Sequence, residues 1–155
     1  MLGSVARKLR IFGFDTAYLA HTDDEQVLKA GVEQGRIILT ADKEFFKRIV
    51  KHGADGILVD GSDDLSDLAH ILGKLQITAI AVALGSRCAS CNGMLEGRTI
   101  GQVEVPAAVA RHHSEFYQCA ICGKVYWEGR HMKKLRVFAS ALERRLNTDS
   151  RASKG

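Results

Sequence analysis

No stretch of this chain is apolar for long enough to cross a membrane. Its longest run, Ile77-Thr78-Ala79-Ile80-Ala81-Val82-Ala83-Leu84, falls far short of the ~20 residues that a spanning helix needs, and it reads instead as a buried strand. Low-complexity segments and internal repeats are also missing, which excludes fibrous and solenoid designs. The segment 1–14 carries Arg7, Lys8 and Arg10 on an amphipathic pattern, with no apolar stretch before a small-residue cleavage site, so nothing there reads as a secretory leader. No phosphate loop, no Gly-x-Gly-x-x-Gly and no Ser-His-Asp order occurs, and nucleotide-binding or serine-hydrolase chemistry gains no support. Cysteine is scarce as well, with four in 155 residues.

Those four form two pairs, Cys88-Ala-Ser-Cys91 and Cys119-Ala-Ile-Cys122, with 27 residues between the pairs. The spacing is that of a tetrahedral zinc site of the ribbon type. Asn92-Gly93 follows the first pair and Gly123 the second. The chain must turn back at both places so that N–H groups can face the thiolates, and Gly or Asn tolerates the positive φ this needs. Paired disulfides or a redox dithiol are the alternatives. Disulfides would require an oxidising compartment, and the expected location is the cytoplasm.

At 46% apolar, the chain can bury one ordinary core plus a small metal-held module. Its net charge of +4 is unevenly placed: residues 1–84 hold 10 Lys+Arg against 12 Asp+Glu, 85–129 hold 4 against 4, and 130–155 hold 8 against 2. The positive excess therefore belongs to the C-terminal segment. Such a segment beside a zinc module suggests a polyanionic partner, because each phosphate neutralised releases counterions; a solvated helix face is the plainer alternative.

Leu2, Val5, Leu9 and Phe12 recur at helical spacing up to Gly13. Asp15 to Ala20 reads as a short strand. Thr22-Asp23-Asp24-Glu25 matches a capping box that opens a helix with Val27, Leu28 and Gly31, ending near Gly35. Arg36 to Thr40 reads as a strand covered on both faces, Asp42 as the cap of a helix through Phe45, Phe46 and Ile49, and Gly56 to Asp60 as another strand. A helix of Leu65, Leu68, Leu72 and Leu75 then precedes the strand at 77–84. Helices alternating with short apolar strands predict an α/β domain over 1–84 with a parallel sheet. From 85 to 147 the expectation is a zinc ribbon, with strands at Val103-Glu104-Val105 and Phe116-Tyr117, followed by a basic helix carrying Leu135, Phe138, Leu142 and Leu146 on one side. Residues 148–155 read as a disordered tail.

Ligands of an open parallel sheet sit beyond the carboxyl ends of its strands, where Asp23, Asp24, Asp42 and Asp60 are expected. Carboxylates gathered from separate strand ends repel one another unless a cation lies between them, and oxygen ligands favour Mg²⁺ or Mn²⁺, a setting for phosphoryl chemistry. Taken singly, each acid has a plainer role as a cap or turn residue. His112 and His113 read as exposed loop residues, since four thiolates complete a tetrahedron. His131 heads the basic helix, and Trp127 with Tyr126 offers stacking surface for bases or ribbon core.

Met1 to Arg10, Gly13-Phe14-Asp15, Asp23-Asp24-Glu25, Gly35 to Asp42, Arg87 to Gly93 and Val125 to His131, in this order and spacing, resemble the Mut-seven C-terminal RNase domain family over nearly the whole chain up to about residue 140. The resemblance implies a PIN-like parallel sheet flanked by helices with a zinc ribbon, and a metal-dependent ribonuclease using clustered carboxylates. Carried over residue by residue, it points to Asp24, with Asp23 beside it, and to Asp42 as ligands of a catalytic Mg²⁺ or Mn²⁺. It points also to Cys88, Cys91, Cys119 and Cys122 as zinc ligands. Thr40-Ala41-Asp42 stands where the family has Thr-Arg-Asp, which removes a cation. The family pattern usually opens with a strand ending in aspartate two residues ahead of the position of Met1, so the expectation is a chain lacking that strand and one ligand.

The leading reading is thus a ribonuclease-like hydrolase that cuts RNA phosphodiesters with metal-activated water. Arg7, Arg10, Lys133, Lys134 and Arg136 would hold the backbone, with His131 and Trp127 nearby. The rival is a non-catalytic RNA-binding or ribosome-associated zinc-ribbon module.

Overall fold

The computed structural model describes residues 2–19, 22–82 and 85–152. It is a mixed α/β protein whose chain divides into two compact units. Met1–Val5, Tyr18–Thr78 and Arg145–Gly155 form the first, and Ala6–Ala17 with Ala79–Arg144 the second.

The first unit holds helix α2 (Asp24–Gln34), strand β1 (Ile38–Thr40), helix α3 (Lys43–Lys51), strand β2 (Gly56–Leu58) and helix α4 (Asp64–Lys74). β1 and β2 pair in parallel, with Ile38 opposite Gly56 and Thr40 opposite Leu58. Three aspartates start the helices. Asp23 accepts from the Gln26 N–H, Asp42 from those of Glu44 and Phe45, and Asp63 from those of Leu65 and Ser66, each answering donors that have no partner inside the helix. Asp23, rather than Thr22, is the cap of α2. Gly35 ends α2 in the left-handed conformation at φ 60°. Leu28, Ile38, Phe45 and Ile49 form one buried cluster. Gly31 allows the approach of α2 to β1, for a Cβ there would lie 2.5 Å from the Ile38 Cδ1.

The second unit carries an antiparallel sheet in the order β3 (Leu95–Thr99), β4 (Glu115–Cys119), β5 (Val125–Tyr126). Its register sets Leu95 against Cys119 and Tyr117 against Tyr126. Between β3 and β4 lies the single helical turn α5 (Ala107–Ala110). Helix α1 (Gly3–Ile11) and the 23-residue helix α6 (Arg130–Ala152) each have residues in both units. Within the second unit the Lys8 ammonium lies 5.2 Å from the centre of the Phe138 ring, a cation–π contact between α1 and α6.

Several expected strands are not formed, and the destination of their hydrogen bonds explains why. Residues 15–19 are not a strand, and Ala20 lies outside the described residues. The Thr16 N–H goes to the Asn92 Oδ1 at 3.0 Å, and the Thr16 carbonyl accepts from the Arg10 Nε at 2.8 Å. Side chains thus take what a ladder would have taken. Residues 77–82 are likewise not a strand, while 83 and 84 lie outside the described residues. The Ile77 N–H continues the end of α4 onto the Leu72 carbonyl, and the Ile80 N–H donates to the Glu143 carboxylate at 2.8 Å. Val103 to Val105 is irregular and leads into Pro106, the N-cap of α5. β1 begins only at Ile38, and Ile37 is 43% exposed, so that segment is not covered on both faces. Helix α6 continues through Ala152, and residues 148–152, expected in a disordered tail, are helical.

Candidate functional site

The two cysteine pairs converge. Among the described residues, Cys88, Cys91, Cys119 and Cys122 are the one group of three or more potential ligands whose atoms all lie within 4.8 Å of one another. The Cys88 and Cys122 sulfurs are 3.6 Å apart and those of Cys91 and Cys119 3.4 Å. A zinc ion with Zn–S bonds of about 2.3 Å sets tetrahedral edges of about 3.8 Å, so the cage has the size of one ion. None of the four is in a disulfide.

Local sequence builds this cage twice over. After Cys91 the chain turns at Asn92, φ 71°, and after Cys122 at Gly123, φ 72°. In the first turn the Asn92 N–H reaches the Cys88 carbonyl at 2.9 Å, and in the second the Gly123 N–H reaches that of Cys119 at 3.0 Å. The Ile121 and Cys122 N–H groups point at the Cys119 sulfur at 3.4 and 3.5 Å, as expected for turns that present donors to thiolates. Gly93 is needed for a second reason: a Cβ there would lie 2.9 Å from the Cys119 sulfur.

The cage favours a cation. Burial works against the Cys88 thiolate, but the Tyr126 hydroxyl, 3.1 Å away, and the N–H groups of Cys91 and Ser90 outweigh it and bring this thiol down to about 6. At Cys91 the Gly93 N–H favours the anion, yet burial and the sulfurs of Cys119, Cys122 and Cys88 push the thiol up to about 12. Burial, followed by its bond to Cys88, also raises the Tyr126 hydroxyl, which keeps it a donor to sulfur. One thiolate therefore forms readily while its neighbour resists, and a divalent ion at the centre removes that conflict.

Arg10 supports the first turn from outside the ribbon sequence. It is 5% exposed, and its Nη1 donates to the Ala89 and Ser90 carbonyls at 3.0 and 2.9 Å. Asn92 completes the tie, its Nδ2 donating to the Asp15 Oδ1 at 2.7 Å. Arg10, expected on the RNA-binding face, is thus turned inward and spent on the metal loop. Sequence reasoning missed this and the role of Tyr126, because their partners lie far along the chain; the buried-stripe spacing of Val5, Leu9 and Phe12 gives no hint of it.

The carboxylates stand apart. Asp23 is occupied by the Gln26 N–H at 2.8 Å, and Asp42 by those of Glu44 and Phe45 at 2.7 and 2.9 Å. Asp24 faces Arg48 at 3.4 Å, and Glu25 also pairs with Arg48. The described residues bring no three of these acids into one ligand group. Asp42 does follow the carboxyl end of β1, and Asp60 that of β2. Near them Asp67 is buried, accepts from the Gly61 N–H at 3.2 Å, and has its carboxyl held above the ordinary range by burial and by Asp60.

Among the remaining expected contacts, Arg7, His131, Lys133, Lys134 and Arg136 are exposed, and Trp127 is half-buried. Arg136 pairs with Glu128 at 2.6 Å. No helix of the described residues is long and apolar enough to cross a membrane.

The Mut7-C RNAse domain matches the chain over residues 1–139. No curated protein and no solved structure matches it.

Proposed function

Because the chain belongs to the Mut7-C RNAse domain family, we propose that it is a metal-dependent ribonuclease-like hydrolase acting on RNA phosphodiesters. Asp24 and Asp42, with Asp23 adjacent, serve a Mg²⁺ or Mn²⁺ ion in this reading, and the four-cysteine cage holds zinc and helps to grip RNA. The carrying observation is the family match over residues 1–139, which spans both the acids and the cysteines. Support for a PIN-like first unit comes from its two parallel strands, joined through α3, with Asp42 and Asp60 just past their carboxyl ends, where α/β sheets bind ligands. The exposed Lys133, Lys134 and Arg7 suit the phosphate backbone, since such contacts position a nucleic acid without reading its sequence. A cytoplasmic location belongs to the same proposal and rests on cysteines spaced for metal rather than disulfides.

One observation favours a second reading, a non-catalytic RNA-binding module: each candidate acid is engaged by a cap or by Arg48. Incubating the zinc-loaded chain with labelled single-stranded RNA and Mg²⁺ or Mn²⁺ separates the two. The ribonuclease reading expects cleavage that Asp24→Asn or Asp42→Asn abolishes. Asn caps a helix about as well as Asp, so Asp42→Asn leaves α3 in place. Binding without cleavage by either metal selects the binding module.

A further inference from the structure

A groove of about 350 Å³ opens on the second unit, lined by Ile100, Ala110, Arg111, His112, His113 and Ser114. It lies between the end of β3 and the start of β4 and contains none of the cysteines or acids discussed above. Its lining offers donors without acids: one guanidinium, two imidazoles, a hydroxyl and no carboxylate. Arg111 gives its Nε to the Ala107 carbonyl at 3.4 Å, and no ion pair of Arg111 occurs among the described residues, which leaves the guanidinium fork for a ligand. Two carbonyls of the preceding turn are answered: the Arg111 N–H meets that of Ala107 at 3.2 Å, and those of His112 and His113 meet that of Val109, both at 3.0 Å. Ile100, 52% exposed, adds an apolar wall.

We infer that this groove is a nucleotide subsite for single-stranded RNA, in which Arg111, His112, His113 and Ser114 take one backbone phosphate and Ile100 packs against the adjoining nucleoside. A guanidinium forms charge-assisted bonds to phosphate oxygens, and its fork matches two of them at once; imidazole N–H and hydroxyl groups add hydrogen bonds of their own. The volume is at the small end of ligand sites, which span roughly 300–1,000 Å³, and suits one residue of a strand rather than a folded partner. The inference rests on the reading that RNA is the partner, and it adds a contact independent of the basic helix and of cleavage.

The test uses the full zinc-loaded chain and a fluorescein-labelled single-stranded RNA, with affinity read by anisotropy over a salt series without added Mg²⁺ or Mn²⁺. Arg111→Gln is expected to weaken binding several-fold and to lower the salt slope by about one unit. The His112→Gln/His113→Gln double variant, which removes both rings from the groove lining, is expected to weaken binding as well. Unchanged zinc content in every variant shows an intact ribbon. Variants that keep wild-type affinity and salt slope overturn the subsite, even if the wild type cleaves RNA. A wild type that binds with this Arg111 dependence yet never cleaves supports the subsite and contradicts only the ribonuclease reading.

Discussion

The cysteine cage and the acidic end of the parallel sheet are both collections of groups that bind cations, and the protein treats them in opposite ways. The four thiols are drawn within 4.8 Å and surrounded by N–H groups and the Tyr126 hydroxyl. The carboxylates are each satisfied separately, Asp23 and Asp42 by helix N-termini and Asp24 by Arg48. A thiol can be neutral and so tolerates crowding, whereas a carboxylate is charged near neutral pH and finds the nearest donor. Convergence of anionic ligands is thus written into the ribbon's own turns, while at the sheet it depends on what else arrives.

The largest effect should come from the cage. Cys119→Ser, or removal of the ion with a chelator, is expected to unfold the ribbon, because binding and folding of such a module are one equilibrium worth on the order of 10 kcal/mol. Hydrogen exchange would show β3, β4 and β5 losing protection while β1 and β2 keep theirs; equal loss in both units would erase the contrast drawn above. Next comes Arg10→Ala, which strips the donor from the Ala89 and Ser90 carbonyls and should cost about 1–2 kcal/mol, read as weaker zinc retention against a competing chelator. Arg10→Lys should restore only part of it, since a single ammonium cannot reproduce the fork. Unchanged zinc retention in Arg10→Ala would mean that the metal loop stands without α1.

Within the first unit, Gly31→Ala forces a Cβ to 2.5 Å from the Ile38 side chain and should cost about 1–3 kcal/mol by overpacking, measured by urea unfolding. The smallest effect should be that of Asp67→Asn. Burial, with Asp60 nearby, raises the Asp67 carboxyl, so its contribution is complete below the unfolded carboxylate pKa and is lost as pH rises through the folded value. Asp60 and Asp63 are shifted down, by the Ser62 N–H and by the Ser66 hydroxyl respectively. Their contribution is present above the ordinary carboxylate range and lost as pH falls. Asp67→Asn should therefore stabilise the chain at neutral pH by under about 1 kcal/mol and give no gain at about pH 4. A gain of equal size at both pH values would show that proton binding at Asp67 is not the cause.

What could be read in advance was local. Asp42 as a cap, Gly35 as a helix end, and the turns at Asn92 and Gly123 each follow from residues within a few positions of one another. What could not be read depended on distant partners. Residues 15–19 have strand-like composition, yet the Thr16 backbone is claimed by Arg10 and by Asn92, 76 residues away. β3 has the reverse history: Leu95-Glu-Gly-Arg-Thr99 lacks a strand's apolar alternation and exists because β4 pairs with it along its length. Arg10 resembles a surface base in the sequence, and only the arrival of Ala89 and Ser90 makes it a buried one.

The most direct measurement of the central claim is Mn²⁺ binding to the zinc-loaded chain, followed by the electron paramagnetic resonance signal of free Mn²⁺. The account predicts that the acids of the first unit take up Mn²⁺, that Asp42→Asn removes this binding, and that the same variant keeps its zinc. No uptake by the wild type, or uptake unchanged in Asp42→Asn, would contradict it and favour the non-catalytic reading.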